Sequence, residues 1–531
     1  MTTQPDNVES LDPRRRVEVR QGQLAADTST VAAALHKAGV ELYNREQSIV
    51  GIARAREPET SNGVHREAGA VRLFQPTLIW VKDKVSQHIR IERYDAKKQA
   101  FIVKDLPEPV AQNIATNWQR HDWPELRAVA TTPILTPDGV YRREPGYDPH
   151  TGLYLDIDGE WPELPETLDR EAAEEALKEL TNLLRNYAWR SSVDQAVAIT
   201  MLVSAVMRPV LQDCPAFGVT APTPGSGKGL LVHAGAVMAT GGSPAVMEWS
   251  RDREENRKAL DATAIQGDPL IHIDNVEHPV GGATLCMQIS EQKRGARELG
   301  KSKIIVVPCI SFITITGNNV ILEKDVNRRF LMAEIDPQVE RPEQREFDQD
   351  LIAECTERRR ELVQACHVIV AAYLRANRPD VGLTPLGSFG QWSNTVRAAL
   401  VWAGLQDPVL AQAAQHEADP DREAHVSLME AWKAEFGDQP VTARAVIQRS
   451  LVEHQVDLRE ALDVACGWRG EVTTARLGRW LGSHRDKIAD GKRIEMGSKQ
   501  RGLQTWRVVV VDNQPAPQTE IEGDDHGDLP F

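Results

Sequence analysis

The sequence is poor in cysteine, lacks a long apolar run and has no excess of positive charge. Its 531 residues include six cysteines, none of them in a CxxC pair or beside a histidine at metal-ligand spacing, so we expect neither a disulfide nor a zinc site. No window approaches the roughly 18 uninterrupted apolar residues of a membrane span, and no apolar segment follows the basic N-terminus as it would in a secretory signal. These absences predict a soluble, cytoplasmic protein without membrane contact.

The net charge and the length of the chain limit how it can contact nucleic acid and how many domains it has. The net charge of -15 argues against a surface covered with positive charge for nucleic acid, so any DNA contact must come from local basic patches. A chain of this length exceeds what one hydrophobic core supports, and we expect two to four domains.

The order of predicted elements divides the chain into six segments. Short β-rich runs with proline-rich connectors come first, and helical periodicity then precedes and follows a central strand-rich block. The segments are an α+β region whose role is not legible (1–165), a helical linker or collar (166–212), a P-loop ATPase core (213–340), a helical lid or connector (341–439), a winged helix-turn-helix (440–512) and a disordered acidic tail (513–531).

The segment PTPGSGKG lies between a predicted strand and a predicted helix, as a phosphate-binding loop does. Its backbone amides would surround phosphate oxygens and Lys228 would reach the outer phosphates. Proline stands at 222, where the first glycine is usual, and Gly229 replaces the Ser or Thr that ligates magnesium. The predicted nucleotide-binding residues are Pro224, Gly225, Ser226, Gly227, Lys228 and Gly229.

Asp274 ends the apolar strand LIHI, the position from which a carboxylate holds magnesium beside a P-loop. Asn275 follows it, where many such motors carry a glutamate that activates the attacking water. The base must then come from elsewhere. Glu254, Glu255 and Glu277 are the candidates, and we favour Glu255, which lies in a helical run.

Asn318 ends the next predicted strand, where its amide could orient the attacking water. Arg328 and Arg329 follow in DVNRR, and a guanidinium there could reach the nucleotide of a neighbouring subunit as an arginine finger. The other interpretation of these arginines is a surface salt-bridge pair.

Two basic patches interrupt the acidic background. The first lies between the two strands and the second lies in the predicted wing, and either could contact a DNA backbone. A solvated charged hairpin is the alternative for the first patch, and protein packing is the alternative for the second. Their predicted DNA-binding residues are Lys293, Arg294, Arg297, Lys301, Lys303, Arg485, Lys487, Lys492 and Arg493.

Taken together, PTPGSGKG, the IDNV strand end, RELGKSK, TGNN and DVNRRF resemble the ATPase core of superfamily-three-like AAA+ helicases of phages, satellite elements and integrated islands. The resemblance extends outward through EPGYDPHTGL, SFGQWS and LGRWL, without a primase domain. It implies an α/β P-loop AAA+ core within a multidomain chain, a homo-hexameric ring, ATP and Mg²⁺ as cofactors, and movement on single-stranded and duplex DNA.

The resemblance implies an ATP-dependent DNA helicase or translocase that replicates a mobile genetic element. The alternative is an ATP-binding initiator or helicase loader that binds origin DNA without unwinding it. A scaffold with a degenerate P-loop is a third possibility, since Gly229 and Asn275 depart from the family pattern.

The chain ends in Asp528-Leu-Pro-Phe531 after an acidic stretch, which looks like the tip of bacterial single-stranded DNA-binding proteins. A terminal carboxylate and an aromatic ring can dock into a basic-rimmed apolar pocket. We therefore hypothesise that Asp528–Phe531 recruits host replication proteins that bind that tip, the alternative being a tail that only solubilises the chain.

Overall fold

The computed structural model describes residues 14–119, 122–300, 303–339, 341–344, 349–412, 420–452, 456–466 and 471–511. Lys301 and the Asp528–Phe531 tip lie outside these ranges, so the predictions made for them concern residues outside the described structure. The chain forms two compact units, Met1–Gln412 and Ala413–Phe531, which are described separately below.

The first unit opens with three helices packed on small sheets. Buried side chains recur at helical spacing along each helix, as at Val110, Ala111, Ile114 and Ala115, and this apolar stripe explains why the helices pack around one core. The elements are β1 (Arg15–Glu18), α1 (Leu24–Lys37), β2 (Tyr43–Arg45), β3 (Ser48–Arg54), β4 (Glu59–Ser61), β5 (Val64–Arg66), β6 (Val71–Phe74), α2 (Leu78–His88), β7 (Ile89–Asp95), β8 (Ala100–Val103), α3 (Glu108–Thr116), β9 (Ala128–Ala130), β10 (Ile134–Leu135), β11 (Tyr141–Arg142), β12 (Gly146–Asp148) and β13 (Leu153–Leu155).

Two capped helices follow, α4 (Arg170–Leu183) and α5 (Ser192–Met207). The side chains of Asp169 and Ser191 accept hydrogen bonds from amides in the first turns, which satisfies donors that a helix start leaves unpaired. The Ser192–Val210 segment is apolar and long enough to cross a membrane, but 78% of it is buried inside the protein. Such burial is typical of a core helix.

A seven-stranded sheet forms the centre of the first unit. Five of its strands are parallel and follow the order β20-β14-β19-β16-β15, which confirms the predicted parallel α/β arrangement. Its elements and those packed against it are β14 (Ala216–Ala221), α6 (Lys228–Thr240), β15 (Ala245–Glu248), α7 (Arg253–Gln266), β16 (Leu270–Val276), α8 (Ala283–Ser290), β17 (Lys293–Glu298), β18 (Lys303–Pro308), β19 (Phe312–Asn318), α9 (Lys324–Asn327) and β20 (Phe330–Glu334).

The N-terminal region extends this central sheet. Strand β5 pairs antiparallel with β15, and β4 pairs with β5, so an early segment covers what would otherwise be an open sheet edge. Beside this junction the guanidinium of Arg66 donates to both carboxylate oxygens of Asp268, at 2.8 and 2.5 Å, and the two side chains are 0% and 3% exposed. Residues 59–66 of the N-terminal region are therefore part of the same sheet as the central parallel strands.

The charged stretch between β16 and β19 folds as a β-hairpin. Strand β17 pairs antiparallel with β18, and alternate residues Ala296, Ile305 and Val307 pack with Ala264 of α7. One face of the hairpin is therefore buried, and the alternation of the pleat turns Arg297 and Ile304 to the other face.

Helices complete the first unit and begin the second. A π-helical turn, Ser393–Arg397, joins the short helices of the SFGQWS region into one continuous segment. The helices are α10 (Leu351–Glu357), α11 (Arg359–Arg375), α12 (Gly390–Trp392) and α13 (Ala398–Trp402) in the first unit, and α14 (Pro420–Phe436) in the second.

The described residues of the second unit form four helices and a small sheet. Its core is formed by alternating or helically spaced apolar residues that include Leu428, Trp432, Leu477, Leu481 and Val508. The remaining elements are β21 (Val441–Thr442), α15 (Ala443–Ser450), α16 (Val456–Cys466), α17 (Thr474–His484), β22 (Ile488–Ala489), β23 (Lys492–Met496) and β24 (Thr505–Val510), and the sheet order is β21-β24-β23-β22.

Replacing Arg66 by alanine should destabilise the first unit by about 3–5 kcal/mol, because Asp268 would stay buried without its ion-pair partner. The measurement is the shift of the urea unfolding midpoint at pH 7. Arg170→Ala is the matched control, because Arg170 pairs with Glu174 on an exposed helix face where ion pairs contribute little. Equal shifts for both variants would contradict the assignment of Arg66 as the anchor of this sheet edge.

Candidate nucleotide-binding site

The glycine-rich loop connects β14 to α6 at the carboxyl edge of the parallel strands. Gly225 and Gly227 have φ angles of 74° and 84°, a region that L side chains rarely adopt. Ser226 stabilises the turn because its hydroxyl donates to the Thr223 carbonyl oxygen at 2.7 Å. Helix α6 begins at Lys228 without a side-chain cap, so its first amides remain available for an anion.

An aromatic pair supports the loop from behind. The hydroxyl of Tyr187 donates to the Gly227 carbonyl oxygen at 3.1 Å, and the Tyr187 ring stacks on Trp189 with centroids 5.1 Å apart. The Tyr187 hydroxyl is protonated at neutral pH, as an ordinary tyrosine hydroxyl is, and burial raises its pKa further. This support has little signature in the sequence, since the only local signal is the pair of aromatics in YAW, forty residues before the loop.

Lys228 lies between the loop and the neighbouring strand. Its ammonium donates to the Thr223 carbonyl oxygen at 3.0 Å and to Oδ1 of Asn318 at 2.8 Å. Partial burial lowers the pKa of Lys228, and the charge of Asp274 opposes that shift. The structure therefore brings together Lys228, Asn318 and Asp274, three residues predicted to act in one site.

Asp274 is held by its own strand and by β19. Its Oδ1 accepts from the Thr316 hydroxyl at 2.6 Å and from the Asn275 amide at 2.8 Å, and Nε2 of His272 lies 3.3 Å away. Hydrogen bonds from His272 and Thr316 lower the pKa of the Asp274 carboxyl below its ordinary value against the effect of burial. His272 itself is 4% exposed and bridges to Thr314, as expected of a core histidine.

The donor set fits a magnesium ion that takes most of its ligands from phosphate and water. Mg²⁺ is commonly bound by one or two carboxylates together with substrate phosphates, and Asp274 supplies an exposed, ionised carboxylate. Within the described ranges, no group of three or more His, Cys, Asp or Glu could form an all-protein metal site. Gly229 supplies no ligand, although the space around it is open, since a Cβ built there meets nothing within 4 Å.

Asn275 and Glu255 do not provide a carboxylate base at this point. Asn275 adopts a φ of 48°, and its backbone amide donates to the Asp274 carboxylate. Glu255 lies in the first turn of α7, and its carboxylate is 2.7 Å from the ammonium of Lys258. None of its contacts within the described part of the chain joins it to Lys228, Asp274 or Asn318.

Glu248 is a further residue at this edge that no sequence motif indicates. This residue ends β15, is exposed and stands in register with Asp274 on the neighbouring strand. A single carboxylate at a strand end has no motif around it, so only the pairing of β15 with β16 shows its position.

Arg328 and Arg329 lie at the opposite edge of the sheet from the loop. They precede Phe330, the first residue of β20, and the amide of Ala216 at the start of β14 donates to the Arg329 carbonyl oxygen. Arg329 is fixed by a 2.7 Å hydrogen bond to Ser290, whereas the Arg328 side chain is exposed. Five residues of β20 separate them from their own loop by about 15 Å at the usual rise per residue.

The hairpin cations differ in their availability. Arg294 is not available to DNA, contrary to the prediction. It is 4% exposed, and its guanidinium pairs with buried Asp261 at 2.5 Å. Lys293 pairs with Glu46 at 2.8 Å. Arg297 is exposed on the hairpin's outer face, and Lys303 is exposed at the start of β18, opposite Glu298.

In the second unit, acidic neighbours offset most of the predicted basic patch. Lys492 lies 2.9 Å from Asp490, Arg493 lies 2.5 Å from Glu495, and Arg485 lies 3.1 Å from Asp486. Lys487 is exposed. The region is therefore less positive than a count of its lysines and arginines indicates.

No protein-family model matches the chain, and no curated protein matches its sequence. Among solved structures, the C-terminal region of NrS-1 shares 13% identity, with 82% of this chain and 100% of that chain covered and a TM-score of 0.34. JCV helicase shares 10% identity, with 50% and 72% covered and a TM-score of 0.19. Likenesses this low establish neither family nor activity.

Alanine substitutions at two glycines of the loop should change the free energy of unfolding in opposite directions. Gly227→Ala should cost about 1–2 kcal/mol, because an L residue is strained at that φ and the added Cβ would lie 3.3 Å from the Tyr187 ring. Gly229→Ala should stabilise by about 0.4–1 kcal/mol, since its helical backbone and open surroundings accept a side chain. Urea midpoints of the two variants provide the measurement, and a shift in the same direction for both would contradict the loop geometry.

Proposed function

We propose that this chain is an ATP-driven DNA translocase of the AAA+ type, and that it acts as a replicative helicase of a mobile genetic element. The observation that carries the proposal is the contact of Lys228 with Asn318 beside Asp274, at the carboxyl ends of adjacent parallel strands. The order β20-β14-β19-β16-β15 supports the proposal, because the glycine-rich loop, a carboxylate and a polar amide then lie at one edge, an arrangement that ATP hydrolysis requires.

In this proposal, Lys228 exchanges its partners when nucleotide binds. Its ammonium leaves the Thr223 carbonyl oxygen and Asn318, and it donates to phosphate oxygens instead, while the amides of Gly225 to Lys228 surround the same anion. The Asn318 amide is released by that exchange and is then free to orient water against the γ-phosphate. Nucleotide binding therefore also releases the Asn318 side chain to orient the water.

Asp274 would hold magnesium, whose contribution when bound is to neutralise charge on the β- and γ-phosphate oxygens. Thr316 and the Asn275 amide orient the Asp274 carboxylate and keep it ionised. Because Gly229 offers no hydroxyl, this chain depends on Asp274 more heavily than a P-loop ending in Ser or Thr would.

The arginines support an arrangement in which neighbouring subunits complete each other's sites. Arg328 and Arg329 cannot reach the loop of their own chain from the opposite sheet edge, but an exposed guanidinium there can meet the nucleotide of an adjacent copy. We therefore include a homo-hexameric ring in the proposal, with Arg328 as the exposed finger and Arg329 as its neighbour fixed to Ser290.

DNA would contact the β17–β18 hairpin through Arg297 on its outer face and Lys303 at the start of β18. The second unit, whose helices and antiparallel strands follow the order of a winged helix-turn-helix, would add Lys487. Few unpaired cations are involved, so we expect a moderate rather than steep salt dependence of DNA binding.

Lys228→Ala should reduce ATP turnover by at least about 100-fold, because no other side chain at the loop can neutralise the phosphate charge. The measurement is steady-state ATPase activity with and without single-stranded DNA, and wild-type turnover should rise when DNA is added. Tight ATP binding without turnover in the wild-type protein would contradict the motor and favour the initiator or loader instead.

Gly229→Ser should lower the magnesium concentration needed for half-maximal turnover several-fold, because it restores a hydroxyl ligand in a position with room for it. Gly229→Ala is the matched control, since it changes the helix start equally but adds no oxygen. A titration of ATPase activity against Mg²⁺ compares them. Identical titration curves for the two variants would show that residue 229 does not face the metal.

A further inference from the structure

The proposed reaction lacks a base at the position where the sequence pattern supplies one. Asn275 carries an amide in place of a carboxylate, and an amide does not accept a proton from water near neutral pH. Glu254 and Glu255 are both engaged in the first turn of α7, where Glu254 bonds to Arg257 and Glu255 to Lys258. The remaining candidates for the hydrolytic base are carboxylates at the carboxyl ends of the parallel strands.

Glu248 has the required location. The Cα of Glu248 is paired with the Cα of Asp274 in the parallel ladder of β15 and β16. Strands so paired lie about 4.8 Å apart, and paired residues point to the same face of the sheet. Glu248 is thus on the neighbouring strand, one strand farther from Lys228 than Asp274 is.

The face that Glu248 shares with Asp274 is the face of the nucleotide loop. His272 and Thr316 lie on it, since both bond to each other and to the Asp274 carboxylate. Asn318, two residues beyond Thr316 on β19, lies on that face as well, and its side-chain oxygen accepts a hydrogen bond from Lys228 at the start of α6. Asn318 and Glu248 therefore end their strands, and Asp274 lies two residues before the end of the strand between them, beside the start of α6.

Glu248 is also chemically available. Its side chain is exposed, and no ion pair or hydrogen bond occupies its carboxylate among the residues that the structure describes. By contrast, Oδ1 of Asp274 accepts from the Thr316 hydroxyl and the Asn275 backbone amide, and it lies 3.3 Å from Nε2 of His272. The two carboxylates are therefore suited to different tasks, the first to accept a proton and the second to stay ionised on a cation.

We infer that Glu248 is the general base of ATP hydrolysis, a role that rests on the proposed function. The oxygen of a water molecule bonds to the γ-phosphorus while the bond from that phosphorus to the β,γ-bridging oxygen breaks. The water proton passes to the Glu248 carboxylate, and ADP leaves with the electron pair of the bridging oxygen. Glu248 then returns its proton to solvent with the release of phosphate.

The test compares Glu248→Gln, Glu277→Gln and the control Glu171→Gln, which lies on an exposed helix turn. Glu248→Gln should reduce turnover by about 100-fold or more and leave the dissociation constant of a fluorescent ATP analogue within about twofold of the wild-type value. Nucleotide extracted from this variant after mixing with ATP should remain ATP, whereas the wild-type and control proteins should yield ADP. An unchanged melting temperature accompanies these results, because the side chain is exposed.

Each other outcome overturns a different statement. If the wild-type protein hydrolyses ATP and the Glu248→Gln variant is equally active, Glu248 is not the base and the proposed function stands. Loss of turnover only in Glu277→Gln assigns the base to Glu277. Weakened ATP binding in Glu248→Gln shows a ligand or structural role instead of a base. A wild-type protein that binds ATP without hydrolysing it overturns the proposed function and the base together.

Discussion

The parallel pairing of β14 with β20 on one side and β19 on the other is the constraint on which the candidate site depends. It holds Ala221 in register with Asn318, so the loop that leaves β14 must pass beside the end of β19. The pairing also requires very close packing. A Cβ at Gly218 would lie 2.1 Å from Sδ of Met332, and one at Gly317 would lie 2.6 Å from the Val276 carbonyl oxygen. Larger residues at these positions would disturb the neighbouring strands that position Lys228.

The sheet edge farthest from β20 depends on a second constraint, the attachment of the N-terminal region. Strand β5 covers β15, and the guanidinium of Arg45 donates to the carbonyl oxygens of Ala264 and Ile265 at the end of α7. Burial lowers the pKa of Arg45 to about 10, which still leaves it charged at neutral pH. The strand that carries Glu248 is therefore fixed from both sides, by β16 and by β5. Residues far apart in sequence thus set the position of one carboxylate.

Arginine has two separate uses in this acidic protein. Arg66, Arg294 and Arg397 are buried and bonded to Asp268, Asp261 and Asp407, where they hold elements together. Arg297 and Arg328 are exposed and belong to surfaces that DNA or an adjacent subunit can meet. The planar guanidinium suits both uses, because it donates in two directions inside the protein and carries an undiminished charge at the surface. Counting arginines in sequence cannot separate the two groups.

The sequence by itself determined the local parts of this protein. An apolar run, a glycine-rich turn and a helical pattern predict β14, the loop and α6, because these signals depend on residues close together in the chain. The ends of β16 and β19, with Asp274 and Asn318, follow in the same way. Strand order remained open, since hydrogen-bonded ladders join segments through backbone groups that every residue possesses.

Only the tertiary structure decided which residues meet across that order. It placed Tyr187 under Gly227, Thr316 on Asp274 and Glu248 beside Asp274. The members of these pairs are 40, 42 and 26 positions apart in the sequence. It also buried Arg294, because α7 covers one face of a hairpin whose two faces alternate in the same short sequence. Local patterns reveal which side chains share a face, but packing decides which face is covered.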